Sequence, residues 1–459
     1  MKRTLAFAKN DIVSLTITGY TAQGSGVGHC DGAAVFVAGA AAGDQLRVRI
    51  LKTEKTYAYG KIEEIIAPSP DRIKSDCPQA AQCGGCVFRH ISYEAECRAK
   101  EQRVRDAIER IAGLSPQMVQ PLIPAPCPER YRNKAQFPLG LSPDGTLQAG
   151  FYAPHSHRIV PCMDCRLQPE TFTKAVRAVQ EWYRQAKDSV YEERTGKGLL
   201  RHLYLRQAMA GGGVLVCLVI NGRMVSREDL LVNLLRQQVP GLAGVLLNEN
   251  RKRTNVVLGD RYRTLWGVPA LTDMLCGLQF SISPDSFYQV NHDQAQVLYR
   301  LAGRFAALTG KETLLDLYCG TGTIGLSMAK DAKKVIGVEV VPAAVEDARR
   351  NAEANGIANA EFFCGDAAQA AAHFQQQGFA PDVIALDPPR KGCGAALAHI
   401  AAGMAPQRIV YVSCDPATLA RDLKTFAGDG YELQTAVPVD LFPRTAHVEC
   451  VALMSRVRD

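Results

Sequence analysis

Short apolar runs, each carrying an acidic residue or a cysteine at or near its end, recur through the C-terminal part of the chain. They are LLDL, KVIGVE, AEFFCGD, VIALD and VYVSC, and they deliver Asp316, Glu339, Asp366, Asp387 and Cys414. Segments with helical periodicity separate the runs, which predicts a parallel sheet of alternating strands and helices. Ligands bind at the carboxyl ends of such strands, so we expect these side chains to line one crevice. Helix capping would explain one or two of the acids, but not the whole series.

The first of these runs continues into a glycine-rich turn and a helix, LLDLYCGTGTIGLSMAK, from Leu314 to Lys330. Glycines let the backbone approach a ligand, and the helix N-terminus behind them offers unpaired amides. The pattern favours a nucleotide cradle, although packing turns and the dinucleotide fold use similar glycines. Glu339 follows at roughly the 20-residue spacing at which a second strand brings a carboxylate to ribose hydroxyls.

The chain closes with a pattern typical of a hairpin, YELQTAVPVDLFPRTAHVECVALMSR. It contains Glu449 among apolar residues, flanked by His447 and Cys450. Burying a glutamate is costly unless the carboxylate is paired or takes part in chemistry. Ahead of the sheet, the segment 280–305 turns into a helix, with Gln289 and Asn291 expected at the mouth of the crevice.

The N-terminal part has a different pattern. Residues 10–66 alternate apolar and polar positions in short runs cut by Gly and Asp, which predicts a small antiparallel barrel. Bases and aromatics interleave on it as on a surface for single-stranded RNA, and a solvated edge strand fits the pattern equally well. These residues are Lys52, Lys55, Tyr57, Tyr59 and Lys61.

The middle of the chain predicts one long helix over 91–114 and then an α+β domain to about residue 275. The AGGG turn between RHLYLRQAMA and VLVCLVI indicates a hairpin. Basic residues of the kind that contact phosphate or solvent lie on its strands and loops. They are Arg130, Arg132, Lys134, Arg201, His202, Arg206, Arg251, Lys252 and Arg253.

Closely spaced cysteines indicate a metal site. The segment CPQAAQCGGC holds Cys77, Cys83 and Cys86, and the later segment CMDC offers Cys162 or Cys165 as a fourth ligand. Zinc would use paired CxxC turns, whereas an iron-sulfur cluster accepts irregular spacing, so the spacing alone leaves the metal open.

The composition of the chain indicates the cellular compartment and the class of binding partner. The 53 basic and 46 acidic residues give a net charge of +7, which suits a polyanionic partner. No apolar run has the length of a membrane span, and the first residues lack the apolar core of a signal peptide, so we expect a cytoplasmic protein. In a reducing compartment the 15 cysteines are expected to be ligands, nucleophiles or buried thiols.

Taken together, the motifs DLYCGTGTIG, GVEV, DPPRKG, YVSCDPATLARD and HVEC resemble those of the S-adenosylmethionine-dependent RNA uridine-5-methyltransferases. CPQAAQCGGC is similar to that family's 4Fe-4S motif, and the barrel to a TRAM domain. The resemblance implies a multidomain α/β protein. It would have an OB-like TRAM barrel (1–68), an α+β domain with the iron-sulfur site (69–275) and a Rossmann-like class I methyltransferase domain (276–459). The linking helix 91–114 belongs to the second of these ranges, and packing on the catalytic domain is one expectation for it.

The resemblance also implies roles for single residues. Cys414 would be the nucleophile and Glu449 the general base. The ligands of the 4Fe-4S cluster would be Cys77, Cys83, Cys86 and Cys165. The cofactor would be held by Gln289, Tyr318, Gly320, Glu339, Asp366 and Asp387.

The branch resembled is that of the 23S rRNA (uracil-5-)-methyltransferases, because tRNA-specific members typically lack both barrel and cluster. It implies a flipped uridine at position 747, at 1939, or at both. We expect the helix after Cys414 to lower the pKa of its thiol. The alternatives are a tRNA uridine-5-methyltransferase, a base amino-methyltransferase, a radical enzyme and a non-catalytic RNA-binding protein. An amino-methyltransferase needs no cysteine nucleophile, and the cysteine spacing is not that of a radical enzyme.

Overall fold

The computed structural model describes residues 5–154 and 156–457. The outer ends of the first and last predicted domains, 1–4 and 458–459, lie outside these ranges. The N-terminal strands close into a barrel in the order β1-β2-β3-β5-β4, with apolar side chains such as Val35 and Val48 fully buried inside. This confirms the predicted barrel, except that β3 and β5 pair in parallel, so the barrel is not antiparallel throughout. Its strands are β1 (Ile12–Tyr20), β2 (Gly26–Cys30), β3 (Ala33–Val37), β4 (Gln45–Thr53) and β5 (Tyr57–Ala67).

A long helix follows, α1 (Tyr93–Ala107), which begins where the Ser92 hydroxyl accepts a hydrogen bond from the Ala95 amide. It continues as a π-helical turn, Ile108–Ala112. The predicted helix is therefore confirmed, but it does not join the core of the central domain. Its buried side chains Val104 and Ile108 pack into the core of the C-terminal sheet.

The central domain is built on a seven-stranded sheet in the order β12-β11-β10-β9-β6-β7-β8, with two helices packed on it. β9 and β10 form the predicted hairpin. The elements are β6 (Lys134–Leu141), β7 (Leu147–Tyr152), β8 (Ile159–Pro161), α2 (Glu170–Ala186), β9 (Leu200–Gln207), β10 (Val214–Ile220), α3 (Glu228–Gln238), β11 (Leu242–Glu249) and β12 (Arg261–Gly267).

Three of the basic residues predicted on this domain are buried, Arg201, His202 and Arg206, and the two arginines bind backbone carbonyls. Arg206 is 0% exposed and donates to the backbone carbonyls of Ser286 (2.9 Å) and Tyr288 (3.4 Å). Arg201 is 4% exposed and donates to the carbonyl of Asn250. Both guanidinium groups therefore hold neighbouring loops, and neither is free for phosphate.

A two-stranded ribbon, β13 (Leu271–Leu275) and β14 (Leu278–Ile282), spans the predicted boundary at residue 275 and leads into α4 (His292–Ala306). A second seven-stranded sheet follows, in the order β17-β16-β15-β18-β19-β21-β20. Its strands are β15 (Thr313–Leu317), β16 (Lys334–Glu339), β17 (Ala360–Cys364), β18 (Val383–Leu386), β19 (Arg408–Ser413), β20 (Tyr431–Val439) and β21 (Glu449–Arg456).

The first five strands of this sheet are parallel, and β21 runs antiparallel to both of its neighbours, which confirms the predicted closing hairpin. Helices cover both faces. They are α5 (Thr323–Met328), α6 (Pro342–Ala354), α7 (Ala367–Gln376), α8 (Gly394–Gly403) and α9 (Pro416–Gly428), and short 3-10 turns lie at Pro116–Met118 and Ala329–Asp331. Among the described residues, no helix combines the length and apolar character needed to cross a membrane.

Candidate active site

A cavity of 1120 Å³ lies at the carboxyl ends of the C-terminal sheet and reaches the central domain. All eight of the residues predicted to bind the cofactor or act in catalysis line it. They are Gln289, Tyr318, Gly320, Glu339, Asp366, Asp387, Cys414 and Glu449. The structure therefore brings together side chains from segments far apart in the sequence.

The glycine-rich loop forms one wall of the cavity. Tyr318, Gly320 and Gly322 all adopt positive φ angles of 69°, 56° and 83°, which turn the chain sharply between β15 and α5. The amide of Gly325 donates to Asp316 Oδ2 at 2.9 Å. Asp316 thus lies under the loop and does not line the cavity, contrary to the prediction that its carboxylate would face the crevice. Burial raises the pKa of Asp316 to about 8.

We expect Gly325→Ala to loosen this wall. A Cβ at residue 325 would lie 2.8 Å from Asp316 Oδ2 and 3.0 Å from Val335 Cγ1, so the loop has to shift. Overpacking of this kind costs about 1–3 kcal/mol. The unfolding temperature and the affinity for S-adenosylhomocysteine should both fall. Gly428→Ala, where the added Cβ meets open space, is the control, and equal behaviour of the two variants would contradict the prediction.

The carboxylate of Glu339 stands beside the loop. Its Oε2 accepts a hydrogen bond from the Gly320 amide (3.1 Å) and its Oε1 one from the Val341 amide (2.9 Å). Both oxygens keep a second lone pair, which leaves the carboxylate able to accept from hydroxyl groups in the cavity.

Asp366 combines the two functions that the sequence left as alternatives. Its Oδ1 caps α7 by accepting from the amides of Ala368 and Gln369 (3.0 and 3.1 Å), and the residue also lines the cavity. Asn291 differs from the prediction. Its side chain caps α4 and donates to the carbonyl of Leu441 (3.1 Å), so it does not line the cavity.

Cys414 and Glu449 lie side by side at the other end of the cavity because of the reversed strand. Ser413 pairs with Cys450 between the antiparallel strands β19 and β21. Cys414, which follows Ser413, therefore lies level with Glu449, which precedes Cys450. Glu449 is 4% exposed, and burial, followed by the charge of Asp387, raises its pKa to about 8. Burial also raises the pKa of Asp387 to about 7.

The environment of Cys414 contradicts the prediction that helix α9 lowers the pKa of its thiol. Burial, and then the charges of Glu449 and Asp387, raise that pKa to about 11, and Arg390 opposes them. The first amides of α9 are already occupied, because Asp415 Oδ1 accepts from Ala417 (2.9 Å) and Thr418 (3.1 Å). A negative cap therefore stands where the helix would otherwise offer unpaired donors.

The buried carboxyl of Glu449 should make the protein less stable as the pH rises. Its pKa is 4.5 in an ordinary setting and about 8 in the folded protein, so between these values unfolding releases a proton. Stability contributed by the neutral form is present below pH 4.5 and is lost progressively up to pH 8. We expect Glu449→Gln to raise the unfolding temperature at pH 8 by several degrees and to leave it unchanged near pH 4. An unaltered slope of unfolding temperature against pH would contradict this.

Several residues of the cavity were not assigned from the sequence. Arg390 Nη2 lies 3.5 Å from His447 Nε2, and both residues line the cavity near Cys414 and Glu449. Burial, and then the charges of Arg390 and Arg103, lower the pKa of His447, which favours the neutral form of its ring. The motifs DPPRKG and HVEC contain these two residues, and their polarity next to predicted catalytic groups was the available signal.

A second cavity, of 310 Å³, lies in the central domain beneath the cysteine-rich segment. Five thiols line it, those of Cys77, Cys83, Cys86, Cys162 and Cys165. In the described part of the chain, no three Cys, His, Asp or Glu side chains converge closely enough to hold a single metal ion. All 15 cysteines are free thiols. Arg132 and Lys134 line both cavities, so one β-strand separates the thiols from the active site.

This sheet, with its glycine loop on the first strand, an acid at the end of the second and a reversed last strand, defines a class I S-adenosylmethionine-dependent methyltransferase. The cradle suits that cofactor, because Gly320 lines the cavity with no protein atom within 4 Å of where a Cβ would stand, and Glu339 also lines the cavity.

Comparison with known proteins gives the family. A family model described as tRNA (uracil-5-)-methyltransferase matches residues 276–457, and one described as TRAM domain matches residues 8–62. An uncharacterized RNA methyltransferase of Halalkalibacterium halodurans is 44% identical over 97% of both chains. Another, of Clostridium tetani, is 40% identical over 100% of this chain and 99% of the relative.

The crystal structure of Pyrococcus abyssi tRNA (uracil-54, C5)-methyltransferase in complex with S-adenosyl-L-homocysteine is similar over 96% of this chain and 99% of that one. The identity is 28% and the TM-score 0.78. The chain belongs to the RNA uracil-5-methyltransferase family and is an S-adenosylmethionine-dependent RNA methyltransferase with an N-terminal TRAM domain.

Proposed function

We propose that the protein methylates C5 of a uridine in 23S ribosomal RNA, at position 747, 1939 or both. The pairing of Cys414 with Glu449 across β19 and β21 carries the proposal. A nucleophilic thiol beside a buried carboxyl is the pair that methylation of an unreactive pyrimidine carbon requires.

The thiol of Cys414 first gives its proton to water, and the resulting thiolate attacks C6 of the uracil. This breaks the ring conjugation and creates an enolate whose C5 becomes nucleophilic. S-adenosylmethionine, when bound, supplies the methyl group. Glu449 then removes the proton from C5, which lets the thiol leave and restores the ring. The positive charge of Arg390 opposes the rise in the pKa of both Cys414 and Glu449.

The cofactor would be held along the glycine loop. Glu339 would accept hydrogen bonds from the ribose hydroxyls of the cofactor, and Asp366, just beyond β17, would lie near its adenine. Tyr318 and Gly320 form the wall of the loop. Gln289, whose backbone carbonyl is fixed by a hydrogen bond from the Asn133 side chain at 2.8 Å, and Asp387 complete the set toward the reacting methyl.

A uridine in folded RNA has to leave its stack before a thiol can reach it. The barrel carries an aromatic cluster suited to holding the flanking strand, in which the rings of Phe36, Tyr57 and Tyr59 lie 5.3–5.7 Å apart. Tyr59 is 43% exposed, and an exposed ring can stack on a base. The barrel would thus bind the flanking RNA strand while the cavity binds the flipped uracil.

A uridine in tRNA is the second candidate substrate. The Pyrococcus enzyme, described as acting on tRNA, shares the architecture over nearly its whole length. Because that enzyme matches 96% of this chain, an N-terminal barrel does not by itself argue against tRNA. The choice of ribosomal RNA rests on the resemblance of the sequence motifs to the 23S rRNA branch.

Trapping on 5-fluorouridine tests the function and the substrate together. The purified protein and S-adenosylmethionine are incubated with two rRNA fragments and one tRNA, each carrying 5-fluorouridine at the candidate position. Fluorine cannot leave as a proton, so the true substrate stays covalently attached and shifts on a denaturing gel. An adduct with an rRNA fragment supports the proposal. An adduct with the tRNA alone would identify tRNA as the substrate. The absence of any adduct from a protein that binds the cofactor would overturn the proposed function.

We further propose that Cys77, Cys83, Cys86 and Cys165 hold a 4Fe-4S cluster. A cluster is larger than a single ion, so ligands spread around a cavity suit it. The cavity is also lined by cations that would balance an anionic cluster, namely Arg89, Arg132, Lys134 and Arg166.

Arg89 adds a specific observation. It is 3% exposed, and Nη1 binds Asp76 and Glu129, while Nε and Nη2 have no hydrogen-bond partner among the described residues. An unpaired buried guanidinium edge is costly, and a cluster in this cavity would satisfy it. We propose that the cluster folds the central domain and shapes its RNA surface.

We expect Cys83→Ser to lose the cluster and, with it, stability and RNA affinity. Iron and sulfide content of protein purified without oxygen should fall to near background, and the unfolding temperature should fall too. Cys30→Ser, in the barrel, should retain its iron. Retention of iron by Cys83→Ser would contradict the ligand assignment, and an iron-free protein with unchanged fold and RNA affinity would contradict the structural role.

A further inference from the structure

Helix α1 holds the two segments that carry the proposed nucleophile and base. One contact is on the nucleophile side, where Arg103 Nη2 lies 3.6 Å from Asp415 Oδ2. Asp415 follows Cys414 directly, and its other oxygen, Oδ1, caps α9. The other contact is on the base side, where Arg103 Nη1 donates to the carbonyl of Ala446 at 2.8 Å. Ala446 precedes His447 and lies three residues before Glu449.

The rest of α1 fixes the same connection between β20 and β21. The buried ammonium of Lys100 donates to Asp440 Oδ1 (2.7 Å) and to the carbonyl of Phe442 (3.1 Å). The Arg444 amide donates to Glu96 Oε1 at 2.7 Å. The connection between β20 and β21 is therefore held against α1. Arg103 also contacts Asp415, so its side chain links this connection to the segment that carries Cys414.

We propose that Arg103 is a positioning residue that sets the separation of Cys414 and Glu449, and this rests on the proposed function of those two residues. A guanidinium suits the task because its planar fork reaches two acceptors in fixed directions. Its side chain is about four-fifths buried, with 22% exposed, so water competes weakly for the two contacts. Arg103 touches neither Cys414 nor Glu449 directly, and its effect passes through Asp415 and Ala446.

The test is the rate at which the enzyme forms its covalent adduct with 5-fluorouridine RNA in a single turnover. Misplacing reacting groups by about 1 Å costs on the order of 100-fold. We expect Arg103→Gln to slow adduct formation by about 10-fold to 100-fold, with little change in the affinity for RNA or cofactor. Arg103→Lys, which keeps the charge but not the fork, should be intermediate.

A second substitution separates positioning from a general loss of structure. Asp415→Asn keeps the cap of α9, because asparagine is an equally good N-cap, and removes the charge that faces Arg103. If the two residues act as a unit, Arg103→Gln and Asp415→Asn together should be no slower than the slower single variant. Arg98→Gln, on the same helix but 63% exposed and paired with Asp71, is the control and should keep the wild-type rate.

A wild-type rate for Arg103→Gln, or rate losses that add in the double variant, would overturn the inference. Hydrogen exchange provides a readout without RNA. Arg103→Gln should speed exchange in peptides 413–417 and 445–449 together, and unchanged exchange in both would also overturn it. If wild-type protein forms no adduct, the proposed function fails, while the exchange result still decides whether Arg103 holds the two segments.

Discussion

Cys414→Ala is expected to abolish the covalent adduct with 5-fluorouridine RNA and to reduce methyl transfer by at least about 1,000-fold, since removal of a nucleophile is among the most damaging changes to an enzyme. The loss should be chemical, because alanine keeps the backbone of the turn between β19 and α9. Affinity for the cofactor and for RNA should therefore remain near that of the wild type. Gel shift of the adduct and transfer of a radioactive methyl group measure the two effects.

The same measurements on Cys364→Ala give the control, because this cysteine is exposed at the end of β17 and does not line the cavity. A covalent adduct that survives in Cys414→Ala would show that another thiol attacks the base. Methyl transfer at the wild-type rate without any adduct would instead support the amino-methyltransferase hypothesis, because that reaction needs no cysteine.

Glu449→Gln is expected to separate the two halves of the reaction. Glutamine keeps the volume of the side chain but cannot take a proton, so attack by Cys414 and methyl transfer can proceed while the C5 proton stays in place. RNA with ordinary uridine, without fluorine, should then remain covalently attached to Cys414 with its C5 already methylated. Turnover should fall by about 100-fold to 10,000-fold, the usual contribution of a general base.

Mass spectrometry of the trapped complex measures the added methyl group. Glu432→Gln, exposed on the neighbouring strand β20, is the matched control and should turn over normally. Loss of activity without an accumulated adduct would place Glu449 before methyl transfer, and normal turnover would remove it from the mechanism.

The sequence predicted the cofactor side of the cavity because residues just beyond parallel strands all lie at the carboxyl edge of the sheet. Asp387 and Cys414 each follow the last residue of a strand and reach the cavity. Asp316 lies inside β15, where it pairs with Gly337 and Ala385, and is thus two positions before the level of Asp387. At that depth its carboxylate accepts from the Gly325 amide beneath the glycine loop. The position along the strand decides this, and a run of apolar residues does not give the strand's last residue.

The pKa of Cys414 and the contacts through which α1 packs on the catalytic sheet could not be predicted, for related reasons, although packing of this helix on the catalytic domain was one of the expectations. Sequence shows that a helix follows Cys414, but not that the Asp415 carboxylate already occupies its first amides. Likewise, the periodicity of α1 indicates an apolar face without identifying the core that it covers. Both depend on contacts between distant segments, such as that between Lys100 and Asp440, which only the folded chain displays.

The stretch that follows α1 has a consequence for how such enzymes can be recombined. Val119 and Ile123 form parallel bridges to Ala436 and Val439, so this stretch lies along the outer edge of β20. A C-terminal domain cut at residue 276 would lose that cover together with α1, leaving an open strand edge and an exposed apolar face, both of which promote aggregation. A chimera between relatives should therefore exchange residues 93–123 along with the catalytic sheet, even though a whole domain separates them in the gene.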